Sequence, residues 1–415
     1  MGGDVIGRTD RMQPNIRHCN QKSAEKNIWN GIAWIAWGIV VLVLILRPLQ
    51  LSHRATSFDT YQLAGLRWLR GEDVYSQWMG FVYSPLIAAF FAPFALVPPP
   101  LANIVWRLLN TAFLLGGFTA IINSGLFSGI RKHHAGVPYL LLIPLAVGNI
   151  DISQANPLVA GLILLAIAAV HQERWNMASL CIACATSLKI YPIAVGLLIC
   201  VIAPRRFTAR LIIALFLAAA TPFLLQHWAY VSDQYHAWIA TRVSDNRHNW
   251  PLEKLPLDLW FLIHWVGRIP ISPRVYTCIQ LGTAGAVAVL CAVQGRRRWS
   301  KNRILIALFI LVSVWMTLCG PATESYTYLI LAPAIVLTVG HAYGARQPLL
   351  LRSLVSTAFV LELVAAARAS FFPHFKPFWA LSIQPLSAIA LLLYAVLWLF
   401  NEALWSEAKQ ITKSD

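Results

Sequence analysis

Residues 83–100 read YSPLIAAFFAPFALVPPP, and whether this run crosses a bilayer sets the sidedness of everything after it. Its apolar part, 82–97, is nearly long enough to span. Pro85 and Pro93 interrupt it, however, and Pro98-Pro99-Pro100 closes it. Proline inside a helix removes a backbone N–H and clashes with the preceding turn, so a straight spanning helix is disfavoured here.

The rest of the chain supplies the context for that choice. It has 415 residues, 58% of them hydrophobic and only 12% charged, and a mean hydropathy of +0.61. A soluble protein of this length could not cover its surface with so few polar residues. Apolar runs recur at about 28–46, 101–122, 137–150, 157–171, 175–188, 190–204, 209–226, 275–294, 303–319, 325–343, 349–369 and 379–400. Separated by short polar links, they predict an all-α, polytopic membrane protein with about twelve transmembrane helices.

Five of the links are basic: Arg131-Lys132, Glu173-Arg174, Arg205-Arg206 with Arg210, Arg296 to Arg298 with Lys301 and Arg303, and Arg346 with Arg352. If 82–97 does not cross, all five fall on the cytoplasmic side, as charge bias requires; if it crosses, all five fall outside. The run therefore reads as a re-entrant or interfacial helix on the outer side. Residues 1–27 and 401–415 become cytoplasmic tails, and 28–400 a single membrane domain in the cell inner (plasma) membrane. Within that domain a module over 28–226 precedes an outer loop at 227–274 and further helices at 275–400. The first span starts too far from the N-terminus for an ordinary cleaved signal peptide. The net charge of +16 is accounted for by these membrane-flanking clusters, and no nucleic-acid partner is expected. All seven cysteines but Cys19 lie in or near apolar runs, so no disulfide framework is expected.

The outer side then collects two long loops, roughly 47–100 and 227–274, with the short links GNIDISQAN, LKIYP and CGPATES. Asp59 begins SFDTYQLAGLRWLR, whose apolar residues at 58, 61, 63, 66, 68 and 69 make an amphipathic surface helix. Its carboxylate has two readings, a helix cap or a base for a substrate hydroxyl. Lys189 lies between two short apolar stretches, where a lysine is costly without an anionic partner. It either snorkels to the interface or clamps a phosphate on a lipid carrier. Arg247 and His248 offer further phosphate ligands or simple solvated charges. Tyr83, Gln154, Asn156, Glu324 and Tyr326 are substrate-pocket candidates. Zinc-ligand spacings, a phosphate-binding loop and a dinucleotide fingerprint are all absent from the sequence, so neither metal nor cofactor is expected.

The order of these segments is itself informative. An early Asp in the first outer loop is followed by RGEDVY, YSPLIAAFFAPFALVP, NIVW, QANPLVAGLILLA, SLKIYP and GPATESYTYLILAP. Over roughly residues 55–340 this set resembles the polyprenol-phosphate-dependent membrane glycosyltransferases of the GT-C superfold. Within them it is most similar to glycosyltransferase family 87, which includes mycobacterial phosphatidylinositol-mannoside mannosyltransferases. The resemblance implies a sugar, mannose-like, carried on a polyprenyl phosphate donor and moved with inversion to a lipid or glycan acceptor on the outer face. It also implies that Asp59 is the catalytic base. Tyr326 stands where mannosyltransferase relatives carry a His-containing segment, a departure that bears on sugar choice. The rival class is a transporter or lipid flippase, to which only Glu362 and Arg368 in the eleventh apolar run lend weight. An inactive scaffold is a third reading, against which Asp59 and Lys189 count.

Overall fold

The computed structural model describes residues 13–50, 55–76, 80–130, 135–245, 255–297, 299–320, 323–372 and 378–405. Among these, the chain is helical and contains no strand. The helices are α1 (Gln13–Gln50), α2 (Ser57–Arg70), α3 (Pro85–Ala95), α4 (Pro99–Asn123), α5 (Gly136–Asp151), α6 (Asn156–His171), α7 (Trp175–Leu188) and α8 (Ile193–Ile202). They continue with α9 (Pro204–Ala220), α10 (Trp228–Ser244), the short α11 (Leu259–Phe261), α12 (Pro273–Arg297), α13 (Lys301–Leu318), α14 (Ala332–Gly344), α15 (Leu349–Phe371) and α16 (Phe378–Leu399). A 3₁₀ turn, Ser325–Ile330, leads into α14.

Eight described segments are long and apolar enough to cross a membrane: Ile28–Leu49, Pro99–Asn123, Pro204–Leu224, Pro273–Arg296, Lys301–Leu318, Ser325–Gly344, Leu349–Ala369 and Ala380–Leu399. Together with four shorter apolar helices they account for the twelve apolar runs of the sequence. The four remaining runs form α5, α6, α7 and α8, of 16, 16, 14 and 10 residues. At about 1.5 Å per residue each is shorter than the ~30 Å hydrocarbon layer. The physical reason is visible in α6, where nearly every residue is buried by protein. A helix wrapped by neighbours need not match the lipid thickness. At its crossing with α4, Gly117 and Gly161 let the backbones approach; a β-carbon at Gly161 would overlap the carbonyl of Phe113.

The links sort into two ends of the bundle. At one end Glu173 pairs with Lys301 (2.9 Å) and Arg206 (3.2 Å), and Arg303 pairs with Glu402 (2.9 Å). His171 there meets Asn302, and Gly129 N–H donates to His341 Nδ1. The opposite end is stitched by Ser57 N–H to Ile152 O (3.0 Å), Leu257 N–H to Thr323 O (2.7 Å) and Trp238 Nε1–H to Val82 O (3.2 Å). Every described basic link thus lies away from the end that carries the candidate site residues.

Helix α3 lies across that second end rather than through the bundle. Gln62 of α2 donates to the carbonyls of Phe94 (3.0 Å) and Val97 (3.1 Å) at one end of α3, while Ser84 at its start bonds Ser187 O (2.9 Å). Both termini of α3 are therefore tied to neighbouring helices, α2 and α7. Gly65 of α2 sits against the Phe91 carbonyl, where any β-carbon would clash. Around this crossing Phe58, Tyr61, Phe91 and Trp106 form a buried aromatic cluster. Pro85, a liability inside a span, is an ordinary first-turn residue here.

The turn between α5 and α6 is fixed from below by Arg107, only 4% exposed. Its guanidinium donates to Leu44 O (2.6 Å), Ser153 Oγ and Asn103 Oδ1 (both 3.1 Å), and the Asp151 carbonyl. Ser153 adopts φ +60, a left-handed conformation that a non-glycine residue holds only when its surroundings over-determine it. Its carbonyl accepts from Trp106 Nε1 (2.9 Å) and its hydroxyl donates to Asn103 (2.7 Å).

Candidate active site

A cavity of about 270 Å³ opens at the stitched end. Its walls come from α2, the approach to α3, the α7–α8 link, α10 and the 3₁₀ turn before α14. The end of α7 and the link to α8, TSLKIYP, supply Thr186, Ser187, Lys189 and Tyr191, because α7 stops at Leu188. Lys189 is extended (φ −148, ψ 138), which turns the chain out of the helix. Its ammonium sits 5.8 Å from the Tyr191 ring centroid, within cation–π range.

Two buried hydroxyls, Thr186 Oγ1 in the last turn of α7 and Tyr191 Oη on the link, line the cavity region without a hydrogen-bond partner among the described residues. A buried polar group left so costs free energy, and such orphans call for a ligand or water. Opposite, Tyr61 Oη and Tyr83 Oη share a hydrogen bond of 2.9 Å. Tyr75 fixes the backbone there by donating to the Tyr83 carbonyl (2.6 Å). Burial pushes the Tyr61 and Tyr191 phenols well above their usual range, and neighbouring Tyr83 and Glu324 push the same way. Both stay neutral at physiological pH and can donate hydrogen bonds.

The candidate residues distribute unevenly. Tyr83, Gln154, Lys189 and Glu324 line this one cavity, and Arg242 joins them. Arg242 is paired with Asp245 at 2.9 Å, so it adds a partly compensated charge. Asn156 is fully buried beneath the wall. Its amide nitrogen bonds Asn149 Oδ1 (3.0 Å) and Tyr326 O (2.7 Å), tying the α5–α6 turn to the 3₁₀ turn. Tyr326 lines a second cavity on the far side of that turn. Arg247 and His248 lie outside the described residues.

Asp59 does not line the cavity, although Ser57 and Thr60 on either side of it do. It is exposed, and its Oδ2 accepts from the Thr56 backbone N–H at 2.6 Å in a capping box. Its hydrogen bonds, with Thr56 N–H and Oγ1, both use Oδ2, so among the described residues Oδ1 has no partner. The capping reading and the availability of one oxygen therefore coexist. Sequence reading missed Thr186, Ser187, Tyr191 and Trp238 as cavity residues. The LKIYP link was the available signal, since a polar break between short apolar helices exposes its whole length and not only its lysine.

Fold and cavity together define a multi-pass helical membrane protein with a polar, cationic chamber at one end of the bundle. A family model, glycosyltransferase family 87, matches residues 81–321, more than half of the chain, and the chain belongs to that family. It is a membrane glycosyltransferase, and the transporter and scaffold readings are superseded. The matched segment includes Tyr83, Gln154, Asn156 and Lys189 but neither Asp59 nor Glu324. No curated protein matches the chain.

Proposed function

We propose that the protein moves a sugar, mannose-like, from a polyprenyl-phosphate donor to a hydroxyl of a lipid or glycan acceptor, with inversion. The observation that carries this is the gathering of Lys189, Glu324 and two unpartnered hydroxyls, Thr186 and Tyr191, in one 270 Å³ chamber. A cation suits the phosphate, and hydroxyls with a carboxylate suit a sugar ring.

In the reaction, the acceptor hydroxyl gives its proton to Asp59 as its oxygen attacks the anomeric carbon. The bond from that carbon to the phosphate oxygen breaks, and the electron pair leaves with the lipid phosphate. The leaving phosphate needs no general acid, whereas the weakly nucleophilic hydroxyl gains from a base. One carboxylate therefore suffices, unlike the pair in a glycosidase. Lys189 stabilises the charge that develops on the departing phosphate. Glu324 holds sugar hydroxyls, and Tyr61 and Tyr83 bound the ring.

The site faces outward from the plasma membrane, with both termini in the cytoplasm. Support comes from the clustering of Arg206, Lys301 and Arg303 at the opposite end. A membrane-impermeant thiol reagent added outside is expected to label Ser244→Cys, which is exposed in the wild type, but not Arg346→Cys. The reverse pattern would invert the orientation.

The activity itself is tested with purified protein, a small panel of polyprenyl-phosphate sugars and extracted membrane lipids. Mass spectrometry should find one sugar added to one lipid or glycan class, dependent on the polyprenyl donor. Transfer from a nucleotide sugar and from none of the panel would refute the donor assignment.

A further inference from the structure

A second cavity, about 440 Å³, lies behind the 3₁₀ turn that walls the first. Helices α1 and α15 flank it, and both pack on α5. Its outer lip is apolar, formed by Ile39 and Val43 of α1 and by Ala365, Ala366 and Ala369 of α15. Ile39 and Val43 are 59% and 51% exposed, so the lip belongs to the surface that lipid chains would cover. The rest of its lining includes polar groups, Glu362, Gln384 and the ion pair of Arg47 with Asp151 at 2.6 Å.

Glu362 is the telling group. It sits within a helix long and apolar enough to span, is 5% exposed, and lines this cavity. Gln384 Nε2 donates to its Oε2 (3.2 Å) and also to the Ser325 carbonyl (3.0 Å). Among the described residues its Oε1 has no hydrogen-bond partner. An intramembrane carboxyl with an unmet acceptor is expensive to keep unless something supplies the donor. Among the described residues no cation fills that role, since Arg47 is engaged with Asp151. A phosphate placed this deep would meet a carboxyl group, whereas a hydroxyl would complete it.

We infer that this second cavity holds the hydroxyl-rich headgroup of the acceptor lipid, admitted sideways from the bilayer between α1 and α15. The inference rests on the proposed transfer reaction at the Lys189 cavity. The two chambers share one wall: Glu324 and Thr327 line the first, while Ser325, Tyr326 and Tyr328 line the second. Ile152 lines the second cavity, and its carbonyl receives the Ser57 N–H at the start of α2. Asp59 follows Ser57 by two residues and so stands close to the boundary between donor and acceptor chambers, where a base for the acceptor hydroxyl is needed.

The test uses the full chain in lipid nanodiscs and two labelled probes below their micellar concentrations, octyl glucoside and octyl phosphocholine. The first carries an uncharged polyol and the second no hydroxyl. Wild-type protein should bind the glucoside saturably, at least tenfold more tightly than the phosphocholine. Glu362→Leu, which removes the polar group that a headgroup hydroxyl would meet, should weaken glucoside binding about tenfold, as loss of a hydrogen bond at a buried site does. Ala366→Phe, which fills the lip, should weaken it at least as much. Equal binding of both probes, or glucoside binding unchanged in both variants, would overturn the inference. Because the readout is binding, it is independent of turnover. Absence of sugar transfer from the donor panel would sink the proposed reaction while leaving the polyol selectivity to stand or fall here.

Discussion

Asp59→Asn should fold, insert and bind the donor normally while losing sugar transfer by about 10²–10⁴-fold, the range for removal of a general base. Asparagine preserves the shape of the side chain, and its amide oxygen can accept the N-cap N–H from this third helical position as the carboxylate does. The Thr56 N–H that Asp59 Oδ2 accepts therefore keeps a partner. What is lost is the basic carboxylate beside the acceptor hydroxyl, and turnover should report that alone. The companion variant is Glu324→Gln. Glu324 lines the donor cavity and is assigned to sugar hydroxyls, so its loss should raise the donor KM more than it lowers kcat. The opposite pattern, full turnover in Asp59→Asn and collapse of kcat in Glu324→Gln, would transfer the role of base to Glu324. Asp59 would then be a helix cap and nothing more.

Lys189→Ala should weaken donor binding by about 2 kcal/mol, roughly thirtyfold. Truncating one partner of a buried charge pair costs about 2–5 kcal/mol, and Lys189 is half-buried, which places it at the lower end. Lys189→Arg should recover part of the loss, since the charge survives while the geometry of contact changes. The quantity to measure is the affinity for a polyprenyl phosphate with and without its sugar. Both should weaken alike, because the lysine addresses the phosphate. Unchanged affinity in the alanine variant would leave only the snorkelling reading of this residue.

Much of the architecture was readable in the residues because hydropathy and proline report directly on what a bilayer permits. The interfacial placement of 82–97 followed from Pro85, Pro93 and the charge bias of the links. In the structure the run forms an 11-residue helix, too short to cross a bilayer unaided, whose ends are tied to α2 and α7. The number of full-length spans was less readable. Apolar composition cannot tell a helix that faces lipid from one, like α6, that is enclosed by protein. Among site residues, Lys189, Tyr83, Gln154 and Glu324 announced themselves as polar interruptions of apolar sequence, and one cavity gathers them. Arg107 did not, because an arginine inside an apolar run looks like a helix-end charge until Leu44, Ser153 and Asp151 surround it. Glu362 was visible as an anomaly, but its meaning depends on a cavity shared by α1, α5, α15 and α16, which no local pattern encodes.

The most direct test of the central claim is a cryo-electron microscopy structure of the protein in nanodiscs with a polyprenyl phosphate bound. The account predicts phosphate density in the chamber bounded by Tyr83, Lys189 and Glu324, within hydrogen-bond distance of the Lys189 ammonium. The prenyl chain should leave that chamber toward the bilayer. Phosphate density in the Glu362 cavity, with the Lys189 chamber empty, would contradict the assignment of donor and acceptor sites.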